Sequence, residues 1–339
     1  MTNSVSSTNT VKPHGIRSVR FALLFTLWLY IPTPIWAQKL TADSITIYFA
    51  GDIMQHGPQL QAALRPNGSY SYDNCFSLVK PEIQAADIAV CNFETTLGGA
   101  PYSGYPNFCS PDELAAAVRN AGFDIFLTAN NHCMDRRSKG LIRTIDVLDS
   151  LSIGHLGTYR NQAERDSLYP YILEKNGIRI ALLNYTYDTN GIPVPPPVTV
   201  NLIDTLQIMA DIMRARELNA DCIIACMHWG TEYRTKPDAS QQQLEEWLYT
   251  VGVDHIIGGH PHVVQPVSTS PDYKGRASEH LTVWSLGNYI SNMSAPRTDH
   301  GLAVTVKLKK RGTITRLSDF TLHPNHTERA TYTVVPDSE

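Results

Sequence analysis

From Ile45 onward the chain repeats one pattern: a short run of β-branched and apolar residues that stops at polar, reactive side chains. "ITIYFAGDIM" reaches Asp52, "DIAVCNFETT" reaches Asn92 and Glu94, and "FDIFLTANNH" reaches Asn131 and His132. "IRIALLNYTYD" stops at Asp188, "DCIIACMHWGTEY" at His228 and Glu232, "DHIIGGHPHV" at His260 and His262, and "LTVWSLGNYIS" at Asn288. Each run has strand length and predicts a strand. Between several of them the apolar spacing becomes helical. "SPDELAAAVRNAG" predicts a helix with Ser110 as N-cap, Pro111 at the first helical position and Gly122 as the stop. "SKGLIRTIDVLDSLSIG" puts Leu141, Ile145 and Leu148 on one helical face, and "SQQQLEEWLYTVG" reads as a helix capped by Ser240. Strands alternating with helices predict an α/β architecture. In such sheets ligands bind beyond the carboxyl ends of the strands, where every polar cluster above falls. The tail "GLAVTVKLKKRGTITRLSDFTLHPN" alternates instead, and turns at Arg311-Gly312 as a hairpin.

The N-terminal stretch breaks the pattern. Lys12, Arg17 and Arg20 precede "FALLFTLWLYIPTPIWA", which predicts a signal peptide over residues 1–37, with an uncleaved anchor as the alternative. Pro32 and Pro34 make that run a poor membrane-spanning helix. Residues 38–339 are expected to form one domain, with "GIPVPPPVTV" as a stiff loop near the site. Without residues 1–37 the chain carries 25 basic and 32 acidic residues, a net charge of −7. That argues against a nucleic-acid partner, which needs a basic face. Four of the six cysteines lie in or beside apolar runs and read as buried thiols. Export would allow disulfides, but sequence does not choose among the pairings of six cysteines; Cys75 with Cys109 is the pair to test.

The candidate chemistry follows from the strand ends. In an extended His-Pro-His the two imidazoles point to the same side, so His260 and His262 are expected to face one ion or a pair. Asp52, Glu94, Asn131, His132 and His228 end neighbouring runs. Oxygen and nitrogen donors of this kind suit Zn, Mn, Fe or Mg, and such ions activate water and hold phosphoryl oxygens. Glu232, four residues after His228, reads as a ligand or general base, or as a plain loop carboxylate. Asn288 reads as a turn residue or as a donor to substrate. Arg136, Arg137 and Lys139 read as a solvated helix start or an attraction for anions. Tyr185 and Tyr187 read as packing or as cleft lining.

The motifs "GDIM" (51–54), "NFETTL" (92–97), "FDIFLTANNHCMD" (123–135), "MHWGTEY" (227–233), "DHIIGGHPHVVQP" (254–266) and "SLGNYISN" (285–292) occur in one order. Together they resemble the CapA family of bacterial poly-γ-glutamate capsule synthesis proteins, itself similar to calcineurin-like metallophosphoesterases. The resemblance implies a four-layer αββα sandwich with one or two divalent ions (Mn, Zn or Fe) at a sheet edge. It implies metal ligands at Asp52, Glu94, Asn131, His228, His260 and His262, with Glu94 where a bridging carboxylate would stand. It implies that His132 contacts substrate or orients water, and it leaves Glu232 as the second catalytic candidate. The implied substrate is a phosphoester or a cell-envelope polymer. The implied alternative is a non-catalytic part of a membrane polyglutamate synthesis complex. Two departures stand out. The phosphoesterase pattern opens Asp-x-His, and here Met54 holds the third place, a thioether ill suited to a hard ion. Its Gly-Asp-x-x-Asp is replaced by "NFE".

Overall fold

Ile45, Ile47 and Phe49 alternate with Tyr48 and Ala50 along the first strand, and all five are buried. A strand with no solvent face must lie between two layers, and that placement organises the molecule. The computed structural model describes residues 43–271 and 279–337; the expected signal peptide lies outside them.

The chain runs β1 (Asp43–Ile53), α1 (Gly57–Ala63), α2 (Lys80–Gln84), β2 (Ile88–Phe93), α3 (Asp112–Ala121), β3 (Ile125–Leu127), α4 (Arg137–Ser150), β4 (Gly154–Leu156) and β5 (Thr158–Tyr159). It continues through α5 (Gln162–Leu168), β6 (Tyr171–Lys175), β7 (Ile178–Thr186), β8 (Thr199–Val200), α6 (Thr205–Glu217), β9 (Cys222–His228), α7 (Ala239–Val251) and β10 (His255–Gly259). It closes with β11 (Val267–Pro271), β12 (Glu279–Val283), β13 (Asn288–Ile290), β14 (His300–Arg311), β15 (Ile314–Glu328) and β16 (Thr333–Pro336).

Two sheets result. The first has the order β16-β15-β14-β1-β2-β3-β4, with β13 also paired to β1. The second has the order β11-β12-β10-β9-β7-β6. The central strands β1 to β4, and β7, β9, β10 and β12, pair in parallel. One core joins Ile45, Ile47 and Phe49 to Ile180, Leu182, Ile224 and Ile256 of the second sheet, and extends to Ile208, Ile212 and Leu248 of α6 and α7. A second core joins Tyr48, Ala50 and Phe126 to Leu114, Val118 and Leu148 of α3 and α4. The layers are therefore α, β, β, α, as expected. No helix among the described residues is long and apolar enough to cross a membrane.

Details differ from the sequence reading. The cap of α3 is Pro111, and Ser110 instead bonds Thr95 Oγ1 at 2.8 Å. The cap of α7 is Asp238, whose carboxylate accepts from Gln241 N at 3.0 Å while Gln241 reaches back to Asp238 N. This capping box outcompetes Ser240, whose hydroxyl bonds Asp238 itself. All six cysteines are free and buried: Cys75 packs in the second core, and Cys109 Sγ donates to Gly99 O at 3.3 Å. Helix α6 has a weak apolar stripe, because Leu206, Met209 and Met213 are exposed. It is tied down by a buried ion pair in which Arg165 of α5 meets Asp211 at 2.6 Å. Tyr185 Oη also donates to Asp211, at 2.8 Å, so that tyrosine is packing and structure, not cleft.

Candidate metal centre

The site begins with an irregularity in β1. Ala50 pairs with Cys91, yet Asp52 pairs with Asn92, so Gly51 is an extra residue in the ladder. Such a bulge re-aims the side chain that follows it. A Cβ at Gly51 would lie 2.1 Å from Gly287 O, which restricts the position to glycine. Asp52 thereby sits between Asn92 of β2 and Asn288 of β13. Asn92 Nδ2 donates to Asp52 Oδ1 at 2.7 Å and to Glu94 Oε2 at 3.0 Å, with His228 Nδ1 at 3.4 Å. Asn130 Nδ2 donates in turn to Asn92 Oδ1 at 3.3 Å.

The second sheet supplies the imidazoles. Strand β9 ends on His228, and β10 ends on Gly259, where a Cβ would stand 3.0 Å from Asp52 Oδ1. The next residues are not extended, as the His-Pro-His reading expected. His260 has φ 98° and His262 has φ 58°. The chain bends sharply after β10, and it is this bend that turns His262 back onto Asp52. Backbone of this kind costs on the order of 1–3 kcal/mol per residue and concentrates at functional sites. His262 Nδ1 lies 3.2 Å from Asp52 Oδ2 and 3.0 Å from Asn288 Oδ1. Asn288, read as a turn residue or as a donor to substrate, is thus a partner of the site. His228 Nε2 lies 3.0 Å from Asn131 Oδ1 and 3.7 Å from Glu94 Oε1, and His262 Nε2 lies 3.9 Å from the same oxygen. Asn131 Nδ2 donates to Asn190 Oδ1 at 3.2 Å, which turns its own oxygen inward.

This donor set fits a cation. Among the described residues, Glu94 Oε1 and His260 Nδ1 are buried with no hydrogen-bond partner. Buried polar atoms are normally satisfied, and here acceptors face acceptors. Asp52, Glu94 and His262 offer ligand atoms within 4.8 Å of one another, and so do Glu232, His260 and His262. Burial, then the neighbouring Asp52 carboxylate, raises Glu94 well above the usual carboxyl range. Burial, then the adjacent imidazoles, holds His228 well below its ordinary value and His260 at about 3. Neutral imidazole is the metal-binding form.

Beside the cluster, His132 Nδ1 lies 2.8 Å from Asp135 Oδ2, which also accepts from Phe108 N at 2.6 Å. Glu232 is not buried, unlike Asp52, Glu94, Asn131, His132, His228, His260 and His262. Tyr187, 44% exposed, packs over His260 with ring centroids 4.5 Å apart, whereas Tyr185 is buried. Met54 is buried, and His56, pushed by burial to about 4, is taken up by Gln59 and by Asn292 N at 3.3 Å. Arg136 donates to Pro101 O and Ser103 Oγ. Asn92 was marked from sequence only as a strand end, and Asn130, Asp135 and Asn190 were not singled out. Asn130 and Asp135 lie inside the quoted motifs and were legible there; Asn190 sits in a loop without a readable pattern.

The layers, the parallel strand ends and the cluster of acid, amide and imidazole groups define a fold of the calcineurin-like phosphoesterase type. The NAD nucleotidase of Haemophilus influenzae matches it with a TM-score of 0.50 at 14% identity, over 88% of this chain. This chain spans only 54% of that structure, so the likeness concerns the fold. Within the class the sequence is decisive: residues 46–293 match the family described as bacterial capsule synthesis protein PGA_cap, and the chain belongs to it. The capsule biosynthesis protein CapA of Bacillus anthracis is 27% identical over 299 residues, covering 82% of this chain and 69% of that one. The PGA biosynthesis protein CapA of Bacillus subtilis (strain 168) is 27% identical over 310 residues, covering 82% and 74%.

Proposed function

We propose that this chain is an exported, metal-dependent hydrolase of capsule or poly-γ-glutamate biosynthesis, acting on a phosphoester or a cell-envelope polymer. The observation that carries the reading is the buried set Glu94, Asn131, His228 and His262, placed beside a hydrogen-bonded His132–Asp135 pair. When bound, a divalent ion (Mn, Zn or Fe) supplies Lewis acidity and activation of water. The chain's own residues do the rest. Asp135 accepts from Nδ1 of a His132 imidazolium protonated on both nitrogens, so the Nε2 proton is the one handed to the departing group, leaving the neutral Nδ1–H ring on Asp135. Glu232, partly open to solvent, receives the proton that water gives up. Tyr187 covers His260 and restricts water on that side.

The competing reading is a polymer-binding or scaffold component that works with a membrane polyglutamate synthetase. The replacement of the expected metal histidine by Met54 favours it. Both are decided by presenting the metal-loaded chain with bis(p-nitrophenyl) phosphate and with γ-glutamyl peptides. Turnover that His132→Ala abolishes, with metal retained, is expected. A chain that binds metal but turns over neither substrate, and that retrieves a membrane synthetase in a pull-down, sinks the hydrolase reading. Export is tested separately, by N-terminal sequencing of the chain recovered from the cell envelope.

A further inference from the structure

We infer that the centre holds a single resident ion, bound by Glu94 Oε1, Asn131 Oδ1, His228 and His262 Nε2, and that Asp52 orients these ligands without joining them. The inference rests on the metal-dependent reading above and adds the number of ions and the role of Asp52.

The neighbouring position is already filled by protein. Asn92 Nδ2 stands 2.7 Å from Asp52 Oδ1, 3.0 Å from Glu94 Oε2 and 3.4 Å from His228 Nδ1. Carboxylate oxygens accept only, so the amide group facing them is the NH2. The Asn130 donation to Asn92 Oδ1 fixes the same orientation. A cation at about 2.1 Å from these atoms would require the space of that nitrogen. Two amide hydrogens here do the work of a positive charge, and the buried thioether of Met54 adds no ligand to replace them.

Asp52 is spent on the same network. Its Oδ1 takes the Asn92 hydrogen. Its Oδ2 faces His262 Nδ1 at 3.2 Å. Asn288 Nδ2 donates to Thr298 O at 2.9 Å, so Asn288 presents its oxygen to that same Nδ1, which must carry the proton. The only free lone pair of His262 is therefore on Nε2. That atom cannot also serve the group with His260 and Glu232, which is left with two protein ligands, too few for a resident ion.

The remaining acceptors have the spacing of one coordination sphere. Ligands at about 2.1 Å from an ion stand roughly 3.0–3.5 Å apart. The separations are 3.0 Å for Asn131 Oδ1 to His228 Nε2, 3.7 Å for His228 Nε2 to Glu94 Oε1 and 3.9 Å for His262 Nε2 to Glu94 Oε1. A small contraction closes them. The 3.4 Å separation of His228 Nδ1 from Asn92 is too long to fix which His228 nitrogen carries the proton, so the Nε2 edge is open to the ion.

The test is stoichiometry. The full chain is stripped with chelator, titrated with Mn2+ by calorimetry, and its bound metal counted by elemental analysis. One ion per chain is expected. Asn92→Asp, which exchanges the amide for a carboxylate, is expected to bind a second. Asp52→Asn is expected to keep one ion with weaker affinity, and Glu94→Ala to bind none. Two ions in the wild type, or complete loss of metal in a folded Asp52→Asn, overturns the single-ion assignment and leaves the hydrolase reading standing. No ion at all in the wild type overturns both. The wild-type count decides even where a variant does not fold.

Discussion

Asp135 follows His132 by three residues, and its Oδ2 lies 2.8 Å from the imidazole Nδ1. The pair is buried, and Phe108 packs against the ring with centroids 4.6 Å apart. Orientation of this quality is what proton transfer needs. His132→Ala is expected to lower turnover by about 10²–10⁴-fold, the usual worth of a positioned acid or base. Asp135→Asn is expected to lower it in the same direction while metal content stays at the wild-type level. Rate measurements beside elemental analysis check both; loss of metal in either variant would make the pair structural.

The pH behaviour of the metal-free chain has two parts of opposite sign. His260 is held at about 3, below its ordinary 6.5. Its contribution to stability is present above pH 6.5 and is lost as pH falls from there towards 3. Glu94 is raised, so its contribution is present at low pH and lost as pH climbs through its elevated value. The metal-free chain is expected to melt at a lower temperature at either extreme than between them. Metal uptake below the elevated Glu94 value is expected to release its proton, and near neutral pH none is expected from His228 or His260. Calorimetry in buffers of different ionisation enthalpy reads that release.

Asp211 sits 2.6 Å from Arg165, accepts from Tyr185 Oη and takes Gln207 Nε2 at 3.1 Å. Removing it strands a buried guanidinium. Asp211→Ala is expected to cost about 3–5 kcal/mol, measured by urea unfolding, without changing metal stoichiometry in the protein that remains folded.

Gly259→Ala places a methyl group 3.0 Å from Asp52 Oδ1, a crowded distance that shifts the carboxylate holding His262. Metal affinity is expected to fall about 10–100-fold, the range for groups that orient a ligand. Unchanged affinity would separate Asp52 from the metal site altogether.

Much of this was legible in the chain because apolar runs and their polar ends are local signals. That Asp52, Glu94, Asn131, His228, His260 and His262 follow strand ends was readable from the α/β alternation; that they come from two sheets rather than one sheet edge was not. What sequence did not carry was direction. "GGHPH" reads as extended, and only the bend after β10 gives His260 and His262 their positive φ values. Asn92 looked like a neighbour of Glu94, yet its amide becomes central because the bulge at Gly51 aligns it with Asp52. Tyr185 and Tyr187 look alike by pattern, and one is sealed against Asp211 while the other lies over an imidazole. The buried pair of Asp211 in α6 with Arg165 in α5 was not legible either, because apolar periodicity does not encode an ion pair.

Glu94 and Asn131 follow strands of the first sheet, whereas His228 and His262 follow strands of the second. An ion held by all four is a rivet between two sheets that also meet through an apolar core and through polar ties such as His262 to Asp52 and Ala129 N to Asn184 Oδ1. Its binding energy is then also adhesion energy: at a hundredfold excess over Kd it adds about 2.7 kcal/mol to the folded state. Where the metal is scarce, the sandwich is expected to part first along this edge, with amide exchange rising in Ile256–Gly259 and Asp52–Ile53 together. A capsule protein built this way would register the metal supply of its surroundings in its own lifetime, before any substrate arrives.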